Sequence, residues 1–200
     1  SEEPQSWLDL LQPKWKGKII SADPGISIGP AIFYYTLVLK ERRLSEEQFR
    51  KFGEQISRFV GSNPREEAMA LIRGEGHISL VGSSSASGPL IAEGAPIKAL
   101  NLKEGGYGSP LVIQVLNKGP HPNAARLFVN WLLSAEGMKV LSESASLGGV
   151  RKDIPDRTPL AARVDQSKAV FLGIEDGPKI QKLFSDQFVA KMWKGEGAAK

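Results

Sequence analysis

Short apolar runs and longer stretches with apolar residues at helical spacing follow one another along this chain. Lys18-Ile19-Ile20-Ser21 predicts a strand, preceded by a short helical turn, Trp7 to Leu11, that Ser6 caps and Pro13 stops. After the glycine-rich turn Asp23-Pro24-Gly25-Ile26-Ser27-Ile28-Gly29, Pro30 suits a first helical position and predicts a helix to about Arg42. Ser45-Glu46-Glu47-Gln48 is a capping box, and Phe49, Phe52, Ile56, Phe59 and Val60 recur at helical spacing, which predicts one helix running to Gly61. Asn63 and Pro64 open the next helix, which Gly74 ends, with Ala68, Leu71 and Ile72 inward. His77 to Val81 reads as a short buried strand. Gly82 to Ser87 is a polar turn leading into a brief helix, Pro89 to Glu93, and Pro96 to Leu100 is a further strand.

The second half continues the alternation. A glycine-rich crossing, Glu104 to Gly108, precedes a predicted strand Leu111 to Leu116. Pro122 to Leu133 is an amphipathic helix with Leu127, Phe128, Trp131 and Leu132 expected inward. Another helix runs from Ser134 to about Glu143, residues 148–165 read as irregular, Val170 to Leu172 as a strand, Pro178 to Trp193 as a last amphipathic helix, and 195–200 as a frayed tail. Strands alternating with helices predict an α/β architecture.

Composition narrows the function classes. Two hundred residues, 41% hydrophobic and 24% charged, are ordinary globular material and exclude a disordered, collagen-like or coiled-coil chain. With no cysteine there is no disulfide framework, thiolate nucleophile, iron–sulfur cluster or cysteine zinc site. The longest apolar run, Ala31 to Leu39, is interrupted by Thr36 and falls short of the ~20 residues of a spanning helix, so no membrane insertion is expected. The start, Ser-Glu-Glu-Pro, has no signal-peptide character and reads as mature or trimmed. The net charge of +4 is mild and the basic residues are scattered among acidic neighbours, which argues against a nucleic-acid partner.

Two turns carry candidate chemistry. Gly25-Ile26-Ser27-Ile28-Gly29 matches the G-x-S-x-G of a serine hydrolase between strand and helix, with Ser27 as nucleophile. The triad order needs an acid and then a histidine, and no aspartate lies between Ser27 and His77 or His121, so only glutamates remain for the role. The same turn also reads as a cradle for an anion or polar ligand, because it aims free backbone N–H groups, that of Ile28 included, from the positive end of a helix. Ser83-Ser84-Ser85 has the same form, and the two cradles would face one crevice. Each is equally a solvated turn when taken alone. Two distant histidines make no metal site, no cofactor is implied, and Phe49, Phe52, Phe59 and the pair Tyr34-Tyr35 read as packing.

Ser6-Trp7-Leu8-Asp9-Leu10-Leu11-Gln12-Pro13-Lys14-Trp15-Lys16-Gly17-Lys18-Ile19, followed by Asp23-Pro24, resembles the mid-chain signature of extracellular solute-binding proteins of ABC importers, most similar to the family-one, ferric-iron-type branch. The likeness continues through Leu71 to Glu75, Gly94 to Ile97 and the run Pro122 to Gly137, and Gly149 to Ile154 completes it. It implies a periplasmic binding protein type II-like α/β fold, two lobes that trap a solute by hinge closure, and a periplasmic or extracellular, or lipid-anchored, position. It also implies an ABC transporter permease as partner and no catalysis. By the family's layout, 1–103 is lobe two, 104–150 crosses to lobe one, and 151–200 returns.

The stretch that builds most of lobe one is missing from these 200 residues, so a fragment or processed chain is expected, with 104–150 uncovered unless another chain completes lobe one. Iron-binding members carry adjacent tyrosines where Gly82-Ser83-Ser84-Ser85 stands here, which argues against ferric iron. The ligand implied is a small anionic or polar organic solute, such as a carboxylate, phosphonate or phosphate ester, held by Ser27 and its neighbouring N–H groups and by Ser83 and Ser84. Tyr107 is a hinge or cleft candidate. Asp23 orients the first turn or meets a ligand amine, and reads equally as an Asx-turn before Pro24.

Overall fold

The computed structural model describes residues 3–108, 112–145, 147, 151–154, 165 and 167–195. Ile19 and Ile20 are both fully buried, and neighbours in a strand point to opposite faces, so β1 (Ile19–Ala22) is covered on both sides. It is the centre of a parallel sheet in the order β2-β1-β3, with β2 at Ile56–Val60 and β3 at Ile78–Ser79. Ile19 joins Phe33, Leu37, Phe49 and Phe52 in the main core, on the side of α1 and α2. Ile20 packs with Val60, Ala70 and Leu71 under α3. Helix α1 (Gly29–Tyr34), with Pro30 in its first turn, widens into a π-helical turn, Tyr35–Lys40.

Helix α2 (Glu46–Gln55) begins at the predicted capping box, where Ser45 Oγ accepts the Gln48 N–H at 3.1 Å and Gln48 Oε1 accepts the Ser45 N–H at 2.8 Å. It does not run to Gly61. The helix stops at Gln55, and Ile56 begins β2, which pairs in parallel with β1. Phe59 then reaches the main core and Val60 the α3 side, as adjacent strand residues must. The helical spacing is also met by a β-prone run on an edge strand, and the ladder with β1 decides between them.

Helix α3 (Pro64–Ile72) is capped by Asn63, whose Oδ1 accepts the Arg65 N–H at 2.9 Å. Helix α4 (Ser84–Ala92) starts five residues before Pro89, because the Ser83 carbonyl already accepts from the Ala86 and Ser87 N–H groups. His77 is exposed rather than in a buried strand, and Pro96 to Leu100 joins no ladder. No strand forms over 112–116, and Leu111 lies outside the described residues. β4 (Tyr107–Gly108) and β5 (Val170–Phe171) make a separate parallel pair.

Helices α5 (Pro122–Leu132) and α6 (Ala135–Ala145) pack on each other. Leu127 and Phe128, expected inward, are 71% and 53% exposed. The helix is amphipathic as its sequence requires, but no described element covers its apolar face. The last predicted helix is two, α7 (Gly177–Ser185) and α8 (Phe188–Lys194), broken at Gln187, whose φ of 56° is left-handed. Asp176, buried ahead of α7, accepts from the Tyr35 hydroxyl at 2.7 Å and the Gly173 N–H at 2.8 Å and pairs with Lys40. Trp193 of α8 stacks on Phe49 with ring centroids 4.9 Å apart and donates its Nε1 hydrogen to the Phe49 carbonyl at 3.1 Å. The tail 196–200 and most of 148–165 lie outside the described residues.

Candidate functional site

Strands β1 and β3 are adjacent and parallel, so the turns that leave their carboxyl ends emerge side by side, where open α/β sheets bind ligands. A Cβ on Gly29 would sit 3.6 Å from the Val81 side chain, so the two turns are in contact range. In the first turn, Asp23 Oδ1 accepts the Gly25 N–H at 2.8 Å, and the Asp23 carbonyl accepts the N–H groups of Ile26 and Ser27 at 3.2 and 2.8 Å. Asp23 also binds Lys194 of α8, and the Gln187 side-chain amide donates to the Gly25 carbonyl at 3.4 Å. Asp23 is thus the organiser of its own turn, with its charge paired. Ser27 is 9% exposed and its Oγ accepts the Gly29 N–H at 3.3 Å, while Ile28 is 38% exposed. Neither His77 nor His121 hydrogen-bonds Ser27, so the geometry that activates a serine nucleophile is not assembled among the described residues.

The second turn leads straight into α4. Ser83 does not cap that helix through its side chain; its Oγ lies 2.8 Å from Ser85 Oγ, leaving hydroxyls beside first-turn N–H groups that have no intrahelical acceptor. Ser83, Ser84 and Ser87 open onto a cleft of about 680 Å³ that runs along the outer side of β3. Pro96 to Leu100, Leu102 and Tyr107 also line it. The structure therefore brings Ser83, Ser84 and Tyr107 into one cavity. Asp23, Ser27 and Ile28 stand outside it, on the neighbouring turn.

Tyr107 stacks on Phe33 with centroids 6.0 Å apart. Burial, and then the carboxylate of Glu67, push its hydroxyl well above the ordinary tyrosine range. Glu67 is the residue that sequence reasoning missed. It is almost wholly buried on α3 and lines the cleft, and its carboxylate accepts from the Ser79 hydroxyl and the Ala22 N–H. Burial raises its pKa against the opposing pull of those two bonds. The available signal was its position, three and four residues before Ala70 and Leu71 on the inward stripe of α3. The tyrosine pair is engaged elsewhere: Tyr34 donates to Glu46 at 3.4 Å and Tyr35 to Asp176. Among the described residues no three histidine or carboxylate side chains converge.

A family model described as bacterial extracellular solute-binding protein matches residues 1–165. No curated protein matches the chain. Among solved structures, the periplasmic binding protein AfuA from Actinobacillus pleuropneumoniae, with exogenous fructose-6-phosphate bound, is 22% identical over 94% of this chain and 60% of its own, with a TM-score of 0.66. An ABC transporter structure from Clostridium perfringens is 16% identical, over 96% of this chain and 62% of that one, with a TM-score of 0.59. A Bordetella ferric binding protein is 14% identical, over 99% and 64%, with a TM-score of 0.57. At these identities the likeness establishes the fold, periplasmic binding protein type II-like, in agreement with the resemblance in the sequence. The chain spans about three fifths of the length of these structures.

Proposed function

Because the chain belongs to the bacterial extracellular solute-binding protein family, we propose that it captures a small anionic or polar organic solute for the permease of an ABC importer. The observation that carries this reading is the pair of hydroxyl-and-amide turns at the carboxyl edge of β1 and β3, Asp23 to Gly29 and Gly82 to Ser84. Free N–H groups at helix starts and serine hydroxyls bind oxyanions without a full countercharge. Lys194, by pairing with Asp23, removes the one negative charge that would repel an anion from the first turn. Ser83 and Ser84 hold the anionic group, Ser27 and the Ile28 N–H approach it from the adjacent turn, and Tyr107 lines the same cleft as the two serines. The complete site forms when a second lobe closes over this edge.

A phosphate ester is the first ligand class to test, since AfuA carries fructose-6-phosphate. Carboxylates and phosphonates share the same oxyanion chemistry. Ferric iron fits less well, because both tyrosines of the Tyr34-Tyr35 pair are committed to Glu46 and Asp176.

The experiment is a thermal-shift screen on protein stripped of ligand by unfolding and refolding, against fructose-6-phosphate, other phosphate esters, phosphonates, carboxylates, polyamines and ferric iron. A ligand that binds only the folded state raises its Tm. The expected outcome is a rise with one class of organic anion; a rise with iron alone overturns the proposal. No helix among the described residues is long and apolar enough to cross a membrane, and the family is extracellular, which is where such a capture step takes place.

A further inference from the structure

Helix α8 is bonded to the first turn from both of its ends. At its start, the Gln187 side-chain amide donates to the Gly25 carbonyl at 3.4 Å and to the Phe184 carbonyl at 3.1 Å. At its finish, the Lys194 ammonium binds Asp23 Oδ1, the same oxygen that accepts the Gly25 N–H. The Lys194 and Asp23 side chains are only 19% and 25% exposed, and the ammonium also lies over the Phe59 ring, 5.0 Å from its centroid, so solvent screens this pair less than a surface pair. Other residues seat the helix: Trp193 stacks on Phe49 and Phe59, and Phe188 meets Tyr34 of α1 with centroids 5.0 Å apart. Gln187 holds a left-handed φ of 56°, which glycine adopts at less cost, so what glutamine adds at this position is its side-chain amide. Further along the turn, the Ile28 N–H has no partner among the described residues.

We propose that Gln187 and Lys194 are positioning residues for the anion site, through which α8 braces the Asp23–Gly29 turn in the shape that presents its amides to a solute. This role rests on the solute-binding reading of the turn. Gln187 fixes the direction of the Gly25 carbonyl, and the planar peptide unit then fixes the Ile26 N–H, which donates to the Asp23 carbonyl at 3.2 Å. Lys194 holds the Asp23 carboxylate against the Gly25 N–H and offsets a charge that would otherwise repel the anion. Both side chains act through the turn rather than on the solute. A turn held in its binding shape beforehand loses less conformational freedom when the solute arrives, which raises affinity. By linkage, an anion on the turn tightens α8 in return.

Three variants test the brace, each compared with the parent in Tm, amide hydrogen exchange, and titration with inorganic phosphate and fructose-6-phosphate. Gln187→Gly relieves the left-handed residue and removes its amide, so the Tm should hold or rise. The Ile26 and Ser27 amides, which bond to the Asp23 carbonyl, should nevertheless exchange about ten-fold faster, and the anion should bind about three-fold or more weakly. Lys194→Met should speed the same amides and weaken the anion by about ten-fold. Adding Asp23→Asn to Lys194→Met should restore affinity to within about two-fold of the parent, because asparagine keeps the Oδ1 acceptor and carries no charge. A role for Lys194 in helix packing alone predicts no such rescue, and its absence overturns the charge pairing. Unchanged exchange at Ile26 and Ser27 in both single variants overturns the brace whatever the solute, as does parental affinity in both. Failure of the anion reading looks different: the parent itself binds neither anion, while exchange at the turn still rises in the two single variants.

Discussion

Replacing Ser83 and Ser84 together by alanine isolates binding from folding, because the structure removes the usual reason for such a change to destabilise. A serine at a helix start ordinarily caps it, and its loss costs about 0.5–2 kcal/mol. Here Ser83 makes no capping bond; its hydroxyl meets only Ser85, while its carbonyl, which alanine retains, accepts the Ala86 and Ser87 N–H groups. Both residues are half-buried and neither hydroxyl supports the core. The Tm should therefore move by no more than a degree or two. Each hydroxyl that donates to a charged oxyanion contributes about 1.5–3 kcal/mol, so the pair accounts for roughly 3–6 kcal/mol, a hundred-fold to ten-thousand-fold in Kd. Isothermal titration of the double variant and the parent with the anion identified by thermal shift reads that factor directly. Unchanged affinity at unchanged Tm would remove the Ser83 turn from the site and leave the Asp23–Gly29 turn as the remaining candidate.

Three further outcomes follow from the packing. Burial raises the pKa of Glu67, so its contribution is full below the unfolded carboxylate pKa and is lost as pH rises through the folded one. Glu67→Gln should then flatten Tm against pH above about 4.5 without lowering Tm at pH 7, and a clear loss at pH 7 would show that the charged form is the one the fold needs. Lys40, Tyr35 and the Gly173 N–H hold Asp176 down to about 2, so its contribution is present above the unfolded value near 4 and lost as pH falls toward 2. The Tm difference between the parent and Asp176→Asn should shrink over that window, and a constant difference would refute the assignment. Gly53→Ala places a Cβ 2.6 Å from the Trp193 ring; overpacking of this kind costs about 1–3 kcal/mol, a Tm fall of roughly 2–12 °C in a chain of this size, which a thermal melt measures.

Local chemistry was legible wherever one residue and its near neighbours decide the outcome. The Ser6 cap, the Ser45 capping box, the Asn63 cap, the buried strand at Ile19 and the strand at Val170 all formed where the pattern placed them, because caps and apolar runs act over a few residues. The turns at Asp23–Gly29 and Ser83–Ser84 were legible for the same reason: glycine and serine after a strand expose backbone donors whatever lies beyond. The break at Ile56 was not, since the residues 56–60 satisfy either period and only pairing with β1 chooses the strand. Nor was the break at Gln187, a left-handed residue in an amphipathic run, where Asp176, just ahead of α7, bonds Tyr35 of the π-helical turn and Trp193 ties α8 to α2.

The chain order of apolar residues thus determined an α/β domain with two amide-rich turns at strand ends, and the resemblance it carries determined the family. Tertiary structure alone decided that β1 and β3 are neighbours, which puts those turns side by side. It also decided that Glu67, hidden on an inward helical stripe, faces Ser79 and the cleft. The reason is that strand order and burial depend on contacts between residues dozens of positions apart, and the worth of each such contact is set by what the rest of the fold covers.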